Sequence, residues 1–262
     1  MNEEEIWNQH YDRSGGVCKS PFLEPVRAKV QELIPADVET ILDAGCGGGA
    51  LLKRLSDLGK YHVVGVDQSH QAVKVATSEL KLNATVGSIL NMEQFEDNTF
   101  DLVICSAVTE HMKLPEVHQC VKELKRVAKK YVITTNPYKE YLDYCHVVCD
   151  SYTSRFNLSG HLNSVDEEFV KKTLGKSAKK MEFHYVGKRD WQSRFFADLM
   201  RFSGYVMASD PGITCPNCDK VVVFKKWSIL ARLAGYHYRI IQILLSKLGF
   251  SRDAQIISIL EL

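Results

Sequence analysis

Short apolar runs alternate with longer amphipathic segments along most of the chain. The runs are rich in β-branched residues and predict buried strands, whereas apolar residues that recur every three or four positions predict helices. The predicted strands cover 40–44, 62–67, 84–86, 100–105, 131–134, 181–186 and 254–260, and the predicted helices cover 50–58, 70–80, 115–129, 165–174 and 227–248. This alternation has the spacing of βαβ units. It predicts an α/β fold with a mostly parallel sheet that helices cover on both faces.

Composition narrows the classes of partner. The 262 residues carry 33 Lys+Arg against 32 Asp+Glu, so no chain-wide field would attract nucleic acid. The apolar stretch 227–248 is interrupted by Arg232, His237 and Arg239, which argues against a transmembrane helix. It favours a helix that covers the core or a partner, with contact to a membrane surface as the alternative. The acidic, polar start resembles no export signal, so we expect a cytoplasmic protein with thiol or metal-bound cysteines.

A glycine-rich loop, 43–49, lies between the first predicted strand and the helix that follows. Glycines let a ligand lie against bare backbone, and the helix start offers free N–H groups. Gly45, Gly47 and Ala50 satisfy the G-x-G-x-x-A pattern of dinucleotide sites, which leaves a nicotinamide-dependent oxidoreductase open. Asp43 would repel a pyrophosphate but suits a ligand with an ammonium group and a sulfonium. Asp67, which ends the second strand, can accept hydrogen bonds from ribose hydroxyls.

The sequence D-x-G-x-G after the first strand resembles the class I S-adenosylmethionine-dependent methyltransferases. That resemblance implies a Rossmann-like fold with a mostly parallel seven-stranded sheet, two insertions, and S-adenosylmethionine as cofactor. It extends to Gly87-Ser88-Ile89, where the family holds adenine, and to the F-D-x-V and E-H motifs at 100–103 and 110–111. Ser88 replaces an acid that many members have. The residues that the resemblance assigns to cofactor binding are Trp7, Tyr11, Asp43, Gly45, Cys46, Gly47, Asp67, Gln68, Ser88, Ile89 and Ser106.

Two histidines are candidates for a general base. Methyl transfer to a hydroxyl requires removal of a proton near neutral pH, and histidine is the usual group for that step. His111 follows the fourth strand, and His161 lies in a glycine-flanked polar loop after the fifth strand. A structural role for the Glu110-His111 pair and a metal or surface role for His161 remain alternatives.

Four cysteines form two pairs with spacings that suit zinc. Cys215 and Cys218 form a C-P-x-C knuckle, and Cys145 and Cys149 form a looser pair. Two such pairs can supply the four thiolates of a structural zinc, although His146 or His161 could replace one thiolate, and free thiols remain the alternative. Some bacterial methyltransferases encoded with polysaccharide genes are similar in these C-P-x-C insertions and in a G-H-x-x-S segment.

We therefore expect one domain, 1–262, with an N-terminal cap at 1–38 and a cofactor-binding core at 39–140. The insertions, 141–164 and 188–254, would form a substrate lid. The predicted function is methylation of a small polar acceptor, with O-methylation of a carbohydrate or related cell-surface precursor as the leading candidate. The alternatives are N-methylation of a small amine or amino sugar, and a non-catalytic module that retains the cofactor.

Overall fold

The computed structural model describes residues 23–142, 146–148, 155–157, 159–175, 178–189, 213–214, 221–222, 229–249 and 251–262. The helices in these ranges are α1 (Glu24–Glu32), α2 (Ala50–Ser56), α3 (His70–Lys74), α4 (Leu114–Val127), α5 (Glu167–Thr173) and α6 (Ile229–Lys247). A π-helical turn, Val75–Glu79, continues α3, and a 3-10 turn covers Thr109–His111. The strands are β1 (Thr40–Ala44), β2 (His62–Asp67), β3 (Ala84–Val86), β4 (Phe100–Ser106), β5 (Ala128–Pro137), β6 (His146–Val148), β7 (Arg155–Asn157), β8 (Lys180–Arg189), β9 (Ile213–Thr214), β10 (Val221–Val222) and β11 (Arg252–Glu261).

Seven strands form one sheet in the order β3-β2-β1-β4-β5-β11-β8. Strands β1 to β5 are parallel to one another, whereas β11 runs antiparallel to both β5 and β8. The chain therefore reverses its strand order at β1, which lies between β2 and β4. Ligands of open α/β sheets bind at such a switch point, outside the carboxyl ends of the strands.

The core lies on both faces of this sheet. Neighbouring residues of a strand point to opposite faces, and Ile41 and Leu42 of β1 accordingly enter two different clusters of buried apolar side chains. Val26 and Val30 of α1 pack into the same cluster as Ile41. Part of the predicted N-terminal cap therefore covers one face of the sheet. The predicted mostly parallel α/β fold is confirmed.

Element boundaries differ from the sequence prediction where a residue has a stronger partner outside the helix. The predicted helix 115–129 ends at Val127, because Ala128 pairs with Phe100 at the start of β5. The predicted helix 165–174 begins at Glu167, because the side chain of Asp166 accepts a hydrogen bond from the backbone of Phe169. An N-cap of this kind fixes the start of a helix.

Helix α6 exposes many apolar side chains. Tyr238 and Gln242 are buried, whereas a larger set is exposed: Leu233, Tyr236, Ile240, Ile241, Ile243 and Leu244. The expectation that this helix covers the core or a partner stays a prediction. Among the described residues, no helix combines the length and the apolar character that crossing a bilayer requires.

The two expected insertions contain short antiparallel hairpins. Strands β6 and β7 pair within the first, and β9 and β10 pair within the second. The side-chain amide of Asn157 donates to the backbone carbonyl of Leu142 (2.9 Å), which closes a loop between these two residues of the first insertion. We call this contact the clamp.

Candidate active site

The glycine-rich loop leaves β1 in a conformation that requires glycine. Gly45, Gly47 and Gly49 have φ values of 82°, 52° and 86°, in the left-handed region. A Cβ atom at Gly45 would lie 2.6 Å from Cγ2 of Val108, well inside van der Waals contact. Gly45 therefore lets the loop pack directly against the segment that follows β4.

Asp67 fixes this loop to the end of β2. Its two carboxylate oxygens accept hydrogen bonds from the backbone N–H groups of Gly47 (2.8 Å) and Ser69 (2.9 Å). The N–H of Gly45 also donates to the carbonyl of Val66 (2.8 Å). Burial raises the pKa of the Asp67 carboxyl, while the two N–H groups act in the opposite direction. Each oxygen keeps further acceptor capacity for a hydroxyl group.

Asp43 is a buried acid with an unused oxygen. The residue is only 1% exposed, and its Oδ2 atom has no hydrogen-bond donor among the described residues. Burial, together with the neighbouring Asp67, raises the pKa of Asp43 to about 7, although Arg27 opposes the shift. An unpaired buried acceptor is costly, and a cationic group could satisfy it. The site thus fits a ligand that brings positive charge next to the loop.

Other residues predicted to bind the cofactor lie around the same edge. Cys46 is buried in the loop, and burial raises the pKa of its thiol. Gln68 is half-buried directly after β2. The hydroxyl of Ser106, at the end of β4, is 2.8 Å from the hydroxyl of Thr135. The ends of β1, β2 and β4 therefore bring these positions to one edge of the sheet.

The segment after β3 carries the predicted adenine position. Ser88 accepts a hydrogen bond from the backbone of Leu90 (3.2 Å), and its backbone forms a bridge with Asn91. Ile89 is buried. The hydroxyl of Ser88 thus helps shape a tight turn. Trp7 and Tyr11, the aromatic residues expected to close over the cofactor, lie outside the described residues.

The two candidate bases meet in space. The ring centroids of His111 and His161 are 4.8 Å apart and the rings are inclined at 66°. Backbone N–H groups of Leu162 (2.7 Å) and Asn163 (3.2 Å) both donate to the carbonyl of Glu110. These bonds attach the loop that carries His161 to the turn that carries His111.

Two buried acids surround this histidine pair. Glu140, whose side chain is 7% exposed, contacts Nδ1 of His161. Glu110 is 1% exposed, and Oε2 of its carboxyl accepts a hydrogen bond from the amide of Asn136 (2.8 Å). The same amide donates to the hydroxyl of Thr109 (2.8 Å). Burial raises the pKa of Glu110 to about 7, while His161 lowers it.

Sequence reasoning missed the roles of Asn136 and Glu140. Asn136 lies two residues beyond the predicted strand 131–134, near the edge where ligands bind, so its position is a usable signal. Glu140 carries no comparable signal, because it follows the strand without any recognisable motif. Its contact with His161 depends on a loop that returns to the sheet 21 residues later.

The predicted zinc ligands Cys145, Cys149, Cys215 and Cys218 lie outside the described residues, so the cysteine site stays a prediction. Three other cysteines are buried free thiols: Cys46, Cys105 and Cys120. The described residues do bring together three other possible metal ligands: Glu110, His111 and His161.

A seven-stranded sheet in this order, with an acid-flanked glycine loop at the switch point, is the fold of the class I S-adenosylmethionine-dependent methyltransferases. Residues 42–133 of the chain match the family model described as a methyltransferase domain. A solved S-adenosylmethionine-dependent methyltransferase from Archaeoglobus fulgidus shares the fold, with a TM-score of 0.57 and 17% identity over 97% of this chain and 98% of that one.

Two sequence relatives carry the name ubiquinone biosynthesis O-methyltransferase. The protein of Hydrogenovibrio crunogenus is 29% identical over 150 residues, which cover 54% of this chain and 62% of that protein. The protein of Neisseria meningitidis is 29% identical over 166 residues, which cover 58% and 67%. The chain thus spans about three fifths of the length of the first of these relatives. The match to methyltransferases disfavours the oxidoreductase alternative.

Proposed function

We propose that the protein transfers a methyl group from S-adenosylmethionine to a hydroxyl group of a small acceptor. The observation that carries the proposal is the meeting of His111 and His161 next to the cofactor loop. Val108, against which Gly45 packs, lies three residues before His111. A base and a cofactor cradle on one edge of the sheet are what O-methylation requires.

When bound, S-adenosylmethionine supplies an electrophilic methyl group on a sulfonium. Asp43 would face the positive charge of its methionine part, and Asp67 would accept hydrogen bonds from the ribose hydroxyls. The loop backbone between these two acids would lie against the rest of the ligand. The protein's contribution is therefore to bind, to orient and to exclude water, since the driving force would come from breaking the methyl carbon–sulfur bond with departure of a neutral thioether.

At the other end of the site, the histidine pair would face the acceptor hydroxyl. Its proton would pass to an imidazole nitrogen as the oxygen forms its bond to the methyl carbon. Glu140 would hold His161 through Nδ1, which leaves Nε2 as the nitrogen that can accept a proton. Glu140 is then a positioning residue, whereas His161 and His111 touch the acceptor.

Two observations bear on the class of acceptor: the names of the sequence relatives and the C-P-x-C insertions. The names of the sequence relatives favour a hydroxyl acceptor of ubiquinone biosynthesis. The carbohydrate acceptor predicted from the C-P-x-C insertions receives no support from these relatives. A hydroxyl acceptor is common to both possibilities, and the amine acceptor of an N-methyltransferase is the remaining alternative.

Methyl transfer can be tested with deuterium-labelled S-adenosylmethionine and mass spectrometry. The acceptor panel should contain catechols and phenols, free sugars and small amines. We expect labelled methyl ethers from the full-length protein and about a hundredfold slower transfer from His161→Gln. His118→Gln, a change at an exposed histidine of α4, serves as the matched control. Labelled amines, or no product while the cofactor binds, would contradict the proposal.

A further inference from the structure

The side chains of Glu110, His111 and His161 form a compact set of nitrogen and oxygen donors. One donor atom of each lies within 4.8 Å of the others. Tetrahedral ligand atoms of a zinc ion with bonds of about 2.0–2.1 Å are roughly 3.4 Å apart. Small adjustments of the histidine side chains would therefore be enough to bring the three donors onto one ion.

The surroundings of this cluster match those of a protein metal site. Metal-bound histidines usually donate their second ring N–H to a carboxylate, which fixes the tautomer and the orientation of the ring. Glu140 contacts Nδ1 of His161 in this way, so that Nε2 is available as a ligand. Asn136 holds the carboxyl of Glu110, which fixes the third donor.

Charge favours a cation at the same place. Two carboxyl groups, Glu110 and Glu140, are buried against two histidines. Buried charges are costly unless they are paired or coordinate a metal ion. A divalent ion would balance both acids when they are ionised and the imidazoles are neutral.

We propose that Glu110, His111 and His161 bind a divalent transition-metal ion, with Glu140 as the residue that orients His161. Two imidazoles and one carboxylate suit zinc, iron or cobalt, and they leave coordination positions open. The site deepens the proposed function and rests on it for its role, but the two histidines would then hold the ion and would no longer accept the proton. The acceptor oxygen would bind the ion, which lowers the pKa of its hydroxyl, and the proton would leave to water instead of to an imidazole.

Cobalt(II) alone is the probe that tests the site. The full-length protein is stripped with a chelator and titrated with cobalt(II) while its visible and near-ultraviolet absorption is followed. We expect binding without a sulfur-to-cobalt charge-transfer band, because the ligands are nitrogen and oxygen. A thiolate band would report the separate cysteine pairs. His111→Gln and His161→Gln should each weaken the sulfur-free binding at least about tenfold, and Glu140→Gln about tenfold.

His118→Gln is the matched control and should bind cobalt as the original protein does. Calorimetric titration with S-adenosylmethionine shows whether each variant is still folded and holds the cofactor. Equal cobalt binding in the original protein and in both histidine variants, or a spectrum with thiolate bands only, would overturn the inference. It would also fail if cobalt binding disappeared only in variants that had lost cofactor binding.

The outcomes separate the two proposals. Sulfur-free cobalt binding in a protein that transfers no methyl group to hydroxyls would keep the metal site and remove the proposed function. Methyl transfer that continues unchanged after chelation, in a protein without the cobalt signal, would do the reverse. With both correct, chelation should stop transfer, and added zinc or cobalt should restore it.

Discussion

The cofactor side and the acceptor side of this site each contain a buried acid, and the two acids differ in what surrounds them. Burial raises the pKa of both Asp43 and Glu110 to about 7. Asp43 keeps one oxygen without a donor among the described residues, whereas Glu110 is held by Asn136 and lies near His161. The first acid therefore suits the ligand-binding role that we propose for it, whereas the second belongs to a network within the protein. Asp43 and Glu110 thus have similar pKa values in different surroundings.

The largest effect should come from Gly45→Ala, which would push the cofactor loop away from the segment that carries Glu110 and His111. The new Cβ would meet Val108 at 2.6 Å, and alanine would be strained at a φ of 82°. We expect a loss of about 2–5 kcal/mol of unfolding free energy, from backbone strain and overpacking together. Cofactor affinity should fall with it. Chemical denaturation and calorimetry measure the two effects.

Gly59→Ala is the control for backbone strain in that experiment. Gly59 also has a positive φ (62°), but a Cβ atom there would meet nothing within 4 Å. We expect a loss of only about 1–2 kcal/mol and unchanged cofactor binding. Equal destabilisation by the two substitutions would show that contact between the loop and Val108 contributes nothing.

Asp43→Asn should weaken S-adenosylmethionine binding by about 10–100-fold, because a charge-assisted interaction worth roughly 1.5–3 kcal/mol is lost. Isothermal titration calorimetry gives the affinity. Asp57→Asn, at an exposed aspartate after α2, should leave it unchanged. Full affinity in the Asp43 variant would mean that its unused oxygen does not face the ligand.

Asn136→Ala tests the acceptor side, where we expect a loss of stability without a loss of cofactor affinity. The amide of Asn136 donates to both the Glu110 carboxyl and the Thr109 hydroxyl. Its loss removes that donor from both groups. The free energy of unfolding should fall by about 1–3 kcal/mol, while cofactor affinity stays the same. Denaturant titration measures the first quantity, with the exposed Asn91→Ala as control. A parallel loss of cofactor affinity would show that the acceptor side and the cofactor side are coupled.

The smallest effect is the pH dependence of cofactor binding. With a pKa of about 7 for Asp43, the ionised fraction rises about tenfold between pH 6 and pH 8. Affinity for a cationic ligand should rise by a similar factor over that range, with release of a proton at the lower pH. The Asp43→Asn profile should be shallower, with only the contribution of Asp67, whose pKa burial also raises. Calorimetry in buffers of different ionisation enthalpy detects the proton.

Asp43 should change the stability of the ligand-free protein in the opposite direction. The folded state keeps its proton up to about pH 7, whereas an unfolded chain releases it near 3.8. The stabilisation is therefore complete below the unfolded pKa and is lost as pH rises through about 7. The difference in melting temperature between the original protein and Asp43→Asn isolates this contribution from that of Glu110. A difference that grew in favour of the original protein with rising pH would contradict it.

Sequence alone was sufficient for the fold, and it also predicted that the residues expected to bind the cofactor lie close together. Strand β1, the glycine loop and Asp43 are contiguous, and Asp67 ends the next strand, so periodicity and local chemistry place them together. The acceptor side could be predicted only in part. His111 and His161 were both identified, but their contact depends on a return of the chain that no local pattern encodes. Glu140 gave no signal for the same reason.

The clamp between Asn157 and Leu142 has an evolutionary consequence. It closes the loop between Leu142 and Asn157 before the chain reaches His161. The entropic cost of closing a loop grows slowly, by about 0.6 kcal/mol for each doubling of its length. Insertions and deletions between the two residues can therefore accumulate without displacing the histidine. A lineage could in this way acquire new acceptors by remodelling 143–156, while the reaction centre and the cofactor cradle are inherited unchanged.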